Sequence, residues 1–308
     1  MQGVIKGGEK KPPRIIVYGS PKVGKTTLGT ESPSPIFVPT EDGVSNVPVD
    51  RFEKATSWEE FLGNIAKVAN DTHENKTLVI DTLNGAAELC AQYVCAKFYG
   101  GRWESKKGEP EGFLAFGAAK GWSAVSEEFR PLLALLDKVR DRGMIVLCLA
   151  HTGIMAVKNP LLGDYSKFGP DLDKRVWARV SAWADIIGRA DYDYSVIGAS
   201  DSKKGRAMGT STRYVTFAGS AAEDAGCRVG YELPEKLDLS WAAIAASLGG
   251  KGELIAGIVE NWPILSPEEA TKTLKFLGVK TLDNLDAAPS QKLAQIHNSL
   301  KSKAAKAA

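Results

Sequence analysis

The amino-acid sequence predicts an α/β fold in which a mostly parallel central sheet is flanked by helices and followed by a small helical module. Three observations predict it. The stretch Gly19-Ser20-Pro21-Lys22-Val23-Gly24-Lys25-Thr26 fits the phosphate-binding pattern G-x-x-x-x-G-K-[ST] without a mismatch. It lies between an apolar, β-branched run, Arg14-Ile15-Ile16-Val17-Tyr18, and a helix opening at Thr26-Thr27-Leu28-Gly29. Downstream, apolar runs of strand length alternate with segments of helical period, as βαβ units closing a parallel sheet require.

The loop has a direct chemical reading. Its glycines let backbone N–H groups close around the phosphates of a bound nucleotide, and the following helix adds partial positive charge. Gly19, Ser20, Pro21, Lys22, Val23, Gly24, Lys25, Thr26 and Thr27 form the candidate nucleotide site. Lys25 would reach the β- and γ-phosphates of ATP, and the Thr26 hydroxyl would hold Mg²⁺.

Bulk composition sets bounds on the rest. A chain of 308 residues with 44% hydrophobic and 25% charged residues is long enough for a full α/β core plus a smaller module. The formal net charge of +2 calls for no polyanion partner by itself, so any nucleic-acid surface must be a local patch. Cys90, Cys95, Cys148 and Cys227 show no C-x-x-C spacing and read as reduced, mostly buried thiols. Residues 1–13 are rich in Lys and Gly without the apolar centre of a signal peptide, and no run approaches membrane-spanning length. The expected setting is the cytoplasm, that of the host if the chain is phage-encoded, without a membrane partner.

In chain order, Ile36-Phe37-Val38 is a second strand leading into Pro39-Thr40-Glu41-Asp42-Gly43. Ser57-Trp58-Glu59-Glu60 has the form of a capping box, and Trp58, Phe61, Leu62, Ile65 and Val68 repeat at helical spacing. Thr77-Leu78-Val79-Ile80-Asp81 is a strand ending in the form of a Walker B aspartate, whose carboxylate would hold Mg²⁺ through water. A helix through Leu89, Tyr93, Val94 and Phe98 then gives way to an aperiodic stretch from Gly100 to Pro110, expected as an exposed, mobile loop.

A long helix through Phe129, Leu132, Leu133, Leu136 and Val139 precedes Met144 to Ala150, the most apolar strand, which exits at His151-Thr152. Residues 153–170 read as a second long loop, and Asp185 to Ile197 with Thr212 to Phe217 as a hairpin around the basic turn Ser202-Lys203-Lys204-Gly205-Arg206. Gly249, Gly250 and Gly252 mark a boundary, giving a flexible 1–13, a core over 14–249 and a helical module over 250–308. In that module Ser266-Pro267-Glu268-Glu269 is a second capping box, and Lys301 to Ala308 reads as a loose basic tail.

With the nucleotide at the carboxyl ends of the strands, every strand end is a candidate for chemistry. Asp81 is followed by Thr82, not by a glutamate, so the base for the attacking water must come from elsewhere. Glu41, at the end of the second strand, is the candidate base; the competing reading is a solvated loop acid. His151 is a candidate sensor of the γ-phosphate or a satisfied polar group.

This arrangement resembles the RecA-like P-loop ATPases, and more narrowly the core-only RecA-like single-strand annealing proteins of phages. The runs carrying the narrower likeness are Gly117-Ala118-Ala119-Lys120-Gly121-Trp122, His151-Thr152, Gly169-Pro170-Asp171-Leu172 and Cys227-Arg228-Val229-Gly230-Tyr231-Glu232-Leu233-Pro234. Pro21-Lys22-Val23 departs from that group, where a second glycine is common. The resemblance covers about residues 14–248 and implies a RecA-like fold, a homo-oligomeric ring or filament, and catalytic roles for Glu41, Lys25 and His151 with Asp81 and Thr26 on the metal.

The resemblance also implies that the loops after the Walker B region and after the sensor hold single-stranded DNA. Arg102, Trp103, Lys106 and Lys107 in one, and Lys158, Tyr165, Lys167 and Phe168 in the other, mix cations with aromatics as a stacking surface does; two solvated loops are the plainer alternative. Lys203, Lys204, Arg206 and Arg228 are candidates to reach a neighbouring subunit's γ-phosphate. The function expected is DNA-stimulated ATP hydrolysis in annealing or strand pairing, with the C-terminal module free to dock a single-stranded-DNA-binding protein. The alternatives are a nucleotide-gated scaffold or helicase-like oligomer acting on another partner, and a small-molecule kinase.

Overall fold

A computed structural model describes residues 11–104, 111–114, 119–197, 206–231, 233–248, 250–288 and 290–307. The chain opens with β1 (Arg14–Gly19), α1 (Lys25–Thr30), β2 (Pro35–Pro39), β3 (Asp50–Arg51), α2 (Trp58–Asn70), β4 (Thr77–Asp81), α3 (Leu83–Tyr99) and α4 (Ala119–Asp141). It continues with β5 (Ile145–Val157), β6 (Tyr165–Pro170), α5 (Lys174–Trp183), β7 (Ile186–Ile197), β8 (Arg206–Thr216), β9 (Gly226–Cys227) and β10 (Lys236–Asp238). Four helices complete it: α6 (Trp241–Leu248), α7 (Gly250–Asn261), α8 (Pro267–Leu277) and α9 (Ser290–Ala307).

The chain divides into two compact units. The first holds residues 1–17, 32–154 and 170–185; the second holds 18–31, 155–169 and 186–308. In the first, the strands run in the order β1-β5-β4-β2-β3, and the pairs β5/β4, β4/β2 and β2/β3 are parallel. Ile15, Ile16, Val17, Leu78, Val79, Ile80 and Val146 to Leu149 are fully buried. Each such side chain contributes roughly 1.5–3 kcal/mol, which is why these runs carry no polar alternation. Trp58, stacked on Phe61 and Phe129 with centroids 5.6 and 5.5 Å away, joins α2 to α4.

The start of this sheet is closed by a buried ion cluster. Arg14 donates through Nε and Nη2 to Asp185 at 3.0 and 2.8 Å, its backbone N–H donates to the same carboxylate at 3.0 Å, and Nη1 donates to Asp137 at 3.0 Å. Burial works against ionisation of Asp185, but these hydrogen bonds outweigh it and hold the carboxyl below its ordinary value.

The second unit is antiparallel where its pairing is explicit: β7 with β8, β7 with β9, and β8 with β10. A separate apolar cluster of Ala246, Ile258, Leu277, Leu285, Ala288, Leu293 and Leu300 holds α6 to α9 together. The capping box at Ser266 and Glu269 is complete. At Ser57 only half forms, because Glu60 turns to the N–H and hydroxyl of Thr56.

Three expectations are corrected. Residues 153–170 are not a long loop: β5 runs on to Val157 and pairs with β6, closing a hairpin. Its outer strands are half exposed, so they lack the apolar signal that marks a buried strand. Lys301 to Ala307 continue α9 and are not a loose tail; Leu300 is buried in the helical core and anchors the last turns. Gly250 to Gly252 begin α7, where the sequence suggested punctuation alone.

Candidate functional site

In the second unit, Gly19 to Thr26 form a compact turn. Lys22 and Gly24 have φ of 64° and 112°, and at Gly24 any other residue type would be strained. Gly24 is the N-cap of α1, and its carbonyl accepts from Leu28 N–H at 2.9 Å. Lys25 is buried, and Nζ donates to the carbonyls of Gly19 and Ser20 at 2.8 and 2.9 Å.

Two side chains that the sequence reading did not single out touch this turn. Tyr192 donates its hydroxyl proton to Lys22 O at 3.1 Å, and Arg213 Nη1 donates to Val23 O at 3.4 Å. Tyr192 and Arg213 face each other across the β7/β8 ladder, so one rung of the sheet meets two successive loop carbonyls.

In the first unit, register builds a second cluster. Pro39, Asp81 and Leu149 lie in one row across β2, β4 and β5. Two residues past that row, Glu41 and His151 stand on either side of β4, about two inter-strand spacings of 4.8 Å apart in backbone. Their side chains close the gap: His151 Nε2 lies 3.1 Å from both carboxylate oxygens of Glu41. A carboxylate only accepts, so an ionised Glu41 requires the proton on Nε2. His151 Nδ1 is buried and has no hydrogen-bond partner among the described residues.

Thr82 completes the cluster. Its hydroxyl donates to Glu41 Oε1 at 2.6 Å and accepts from Gly85 N–H at 3.3 Å as the N-cap of α3. Thr40 fixes its backbone, with Oγ1 accepting from Thr82 N–H at 2.8 Å and donating to Thr82 O at 2.9 Å. Gly85 is a glycine for want of space, since a Cβ there would collide with Thr40 Oγ1. Asn84 then holds the other side, accepting from His151 N–H at 2.7 Å and donating to Asp171 O at 2.5 Å. Thr82 and Asn84 were not singled out in the sequence; the S/T residue ahead of a helix was the available signal. Asp81 ends β4 at 5% exposure, and the peptide joining it to Thr82 is cis.

The remaining candidates divide. Trp103 is partly exposed but packs on Phe113 with centroids 4.8 Å apart, and Arg102 O and Trp103 O accept from Phe113 and Leu114 N–H. Lys167 pairs with Asp224 at 2.9 Å, and Phe168 lies under the Arg189 guanidinium at 4.2 Å. Lys158 and Tyr165 are exposed. Lys106, Lys107, Lys203 and Lys204, with Gly117 and Ala118, lie outside the described residues. Arg206 opens β8, and Arg228 is exposed just after β9.

Among curated proteins, the chain is 28% identical over 209 residues to the SPbeta prophage-derived uncharacterized protein YorG of Bacillus subtilis (strain 168), covering 64% of this chain. The match spans 57% of that protein's length. Among solved structures, it is similar to a RadB recombinase (13% identity, 68% of this chain and 82% of that chain, TM-score 0.36). Others are a KaiC-like protein from Pyrococcus horikoshii OT3 (14%, 68% and 80%, 0.34) and the flagellar accessory protein FlaH from Methanocaldococcus jannaschii (11%, 68% and 80%, 0.32). No described helix is long and apolar enough to cross a membrane. Residues 11–228, well over half of the chain, match the model of the AAA domain family, and the protein belongs to that family.

Proposed function

We propose that this ATPase binds ATP with Mg²⁺ at Gly19 to Thr27 and hydrolyses it with Glu41 as the base, in step with work on a macromolecular partner. The observation that carries the reading is the Glu41 carboxylate held between the Thr82 hydroxyl and His151 Nε2. Thr26 and Asp81 offer the hard oxygen donors that Mg²⁺ prefers, and the buried end of β4 suits a carboxylate that serves an ion. When bound, the metal supplies charge neutralisation on the phosphates. Lys25 binds the terminal phosphates, and Glu41 takes a proton from water.

The contacts from the Thr82 hydroxyl and His151 Nε2 hold the Glu41 carboxylate in one orientation. His151, holding Glu41 and serving as γ-phosphate reporter, ties the state of the base to the state of the nucleotide. Subunits associate, with Lys203, Lys204, Arg206 or Arg228 completing a neighbour's site.

The narrower reading is annealing or strand pairing of single-stranded DNA in phage recombination, which the prophage origin of YorG favours. Lys158 and Tyr165 carry it best, because Lys167, Phe168 and Trp103 have partners inside the protein. A protein partner is the second reading. It is supported by the tip of the β5/β6 hairpin, where Leu161 and Leu162 are 90% and 88% exposed, and by α7 to α9 as a docking module.

ATP turnover measured with and without single-stranded DNA tests these. Stimulation by DNA that disappears in Lys25→Ala and Glu41→Gln supports the annealing reading. Basal turnover that both substitutions abolish, indifferent to DNA, supports a protein partner. Turnover that survives Glu41→Gln overturns the assignment of the base, and turnover requiring a small acceptor points to a kinase.

A further inference from the structure

We propose that Arg213 is a ligand of the nucleotide's phosphate chain, acting within its own subunit from β8. The inference rests on the reading of Gly19 to Thr27 as an ATP site and adds a residue that the phosphate-loop pattern does not contain.

Three observations carry it. Arg213 lies against the loop so closely that a Cβ at Gly24 would be 2.6 Å from Nη1 and 3.4 Å from the guanidinium carbon. Gly24 is therefore a glycine for a second reason besides its φ of 112°: it leaves room for a cation. Arg213 also has no carboxylate partner among the described residues; its guanidinium makes one long hydrogen bond, 3.4 Å to Val23 O. Five donors in a fixed fork serve poorly as a tether to one carbonyl and well as a grip on phosphate oxygens. By contrast, the nearby Arg189 is matched by Asp191 and Glu223, so guanidinium groups in this unit do meet carboxylates where their role is structural.

The third observation is its neighbour. Tyr192, opposite in the ladder, holds the preceding carbonyl, Lys22 O, at 3.1 Å without any charge. Were the need only to clamp the loop, a second neutral donor would serve. A full positive charge beside Gly24 raises the loop's affinity for polyanions, and more so for each added phosphate.

The test compares Arg213→Ala, Arg213→Lys and Tyr192→Phe with the wild-type chain, titrating ATP, ADP and AMP and measuring the melting temperature without nucleotide. Losing a charge-assisted phosphate contact is expected to weaken ATP by roughly tenfold or more. ADP should weaken less and AMP least, with the melting temperature unchanged and partial recovery in Arg213→Lys. Tyr192→Phe should weaken all three equally and by about fivefold, the scale of one neutral hydrogen bond. The proposal is overturned if Arg213→Ala leaves ATP affinity within twofold of wild type. It is equally overturned if Arg213→Ala lowers all three affinities by one common factor, as a loop clamp would. Lys25→Ala separates the two levels: if wild type fails to bind ATP, or Lys25→Ala binds it unchanged, the nucleotide site itself is refuted. If Lys25→Ala loses ATP while Arg213→Ala does not, the Arg213 role alone fails.

Discussion

The two ends of the parallel sheet in the first unit handle a carboxylate in opposite ways. At the start of the strands, Asp185 is 4% exposed and receives two guanidinium N–H bonds and a backbone N–H from Arg14. At their far end, Glu41 is 40% exposed and is held by a hydroxyl and an imidazole. A bidentate, desolvated ion pair has no cheaper arrangement to move to. A half-exposed carboxylate held by single-point donors can exchange one of them for water. The same fold thus makes one end a fixed joint and leaves the other end able to do chemistry.

The contrast predicts that damage at one end is read as stability and at the other as turnover. Asp185→Asn should be the largest effect, because it leaves Arg14 buried with its main partner neutralised; the expected cost is about 3–5 kcal/mol in chemical denaturation. Turnover per folded molecule should stay near wild type, and a loss of activity in the folded fraction would break the comparison. The pH dependence has the same origin. Asp185 is held below its ordinary value, so its stabilisation is complete above the unfolded value near 3.9 and is lost as pH falls through the folded value. Melting curves taken from about pH 5 downward should fall more steeply for wild type than for Asp185→Asn.

Glu41→Gln comes next. Removing a general base should lower turnover by roughly hundredfold or more, while the melting temperature moves little because the group is half exposed. A large fall in stability with retained turnover would make Glu41 a second Asp185. Thr82→Val should be smaller, costing about 1 kcal/mol through the lost N-cap of α3 and changing turnover by releasing one tether. Thr82→Ser keeps the hydroxyl and should restore both. The smallest effect is expected at Lys158→Glu, an exposed charge on the hairpin: no change in stability, and a lower affinity for single-stranded DNA only if that hairpin contacts it.

Much of this architecture was legible in the residues. The phosphate loop could be read because its geometry is local: Gly24 supplies a φ that other residues avoid, and Lys25 and Thr26 follow it directly. The buried strands could be read because burial on both faces leaves continuous apolar runs, as in Leu78 to Ile80 and Val146 to Ala150. The β5/β6 hairpin could not, since Met155, Val157, Tyr165 and Lys167 stand partly in water and carry no sharp alternation.

By itself, the sequence determined which chemical groups stand at which strand ends: Glu41 after β2, Asp81 closing β4, His151 leaving β5, each specified within a few residues by apolar runs and their termination. Tertiary structure alone decided what those groups touch. His151 meets Glu41 across 110 positions and Arg213 meets Val23 across 190, and both contacts follow from strand register. Register is fixed by pairing between distant segments, and a hydrogen bond of that kind leaves no periodic trace in the residues on either side of it.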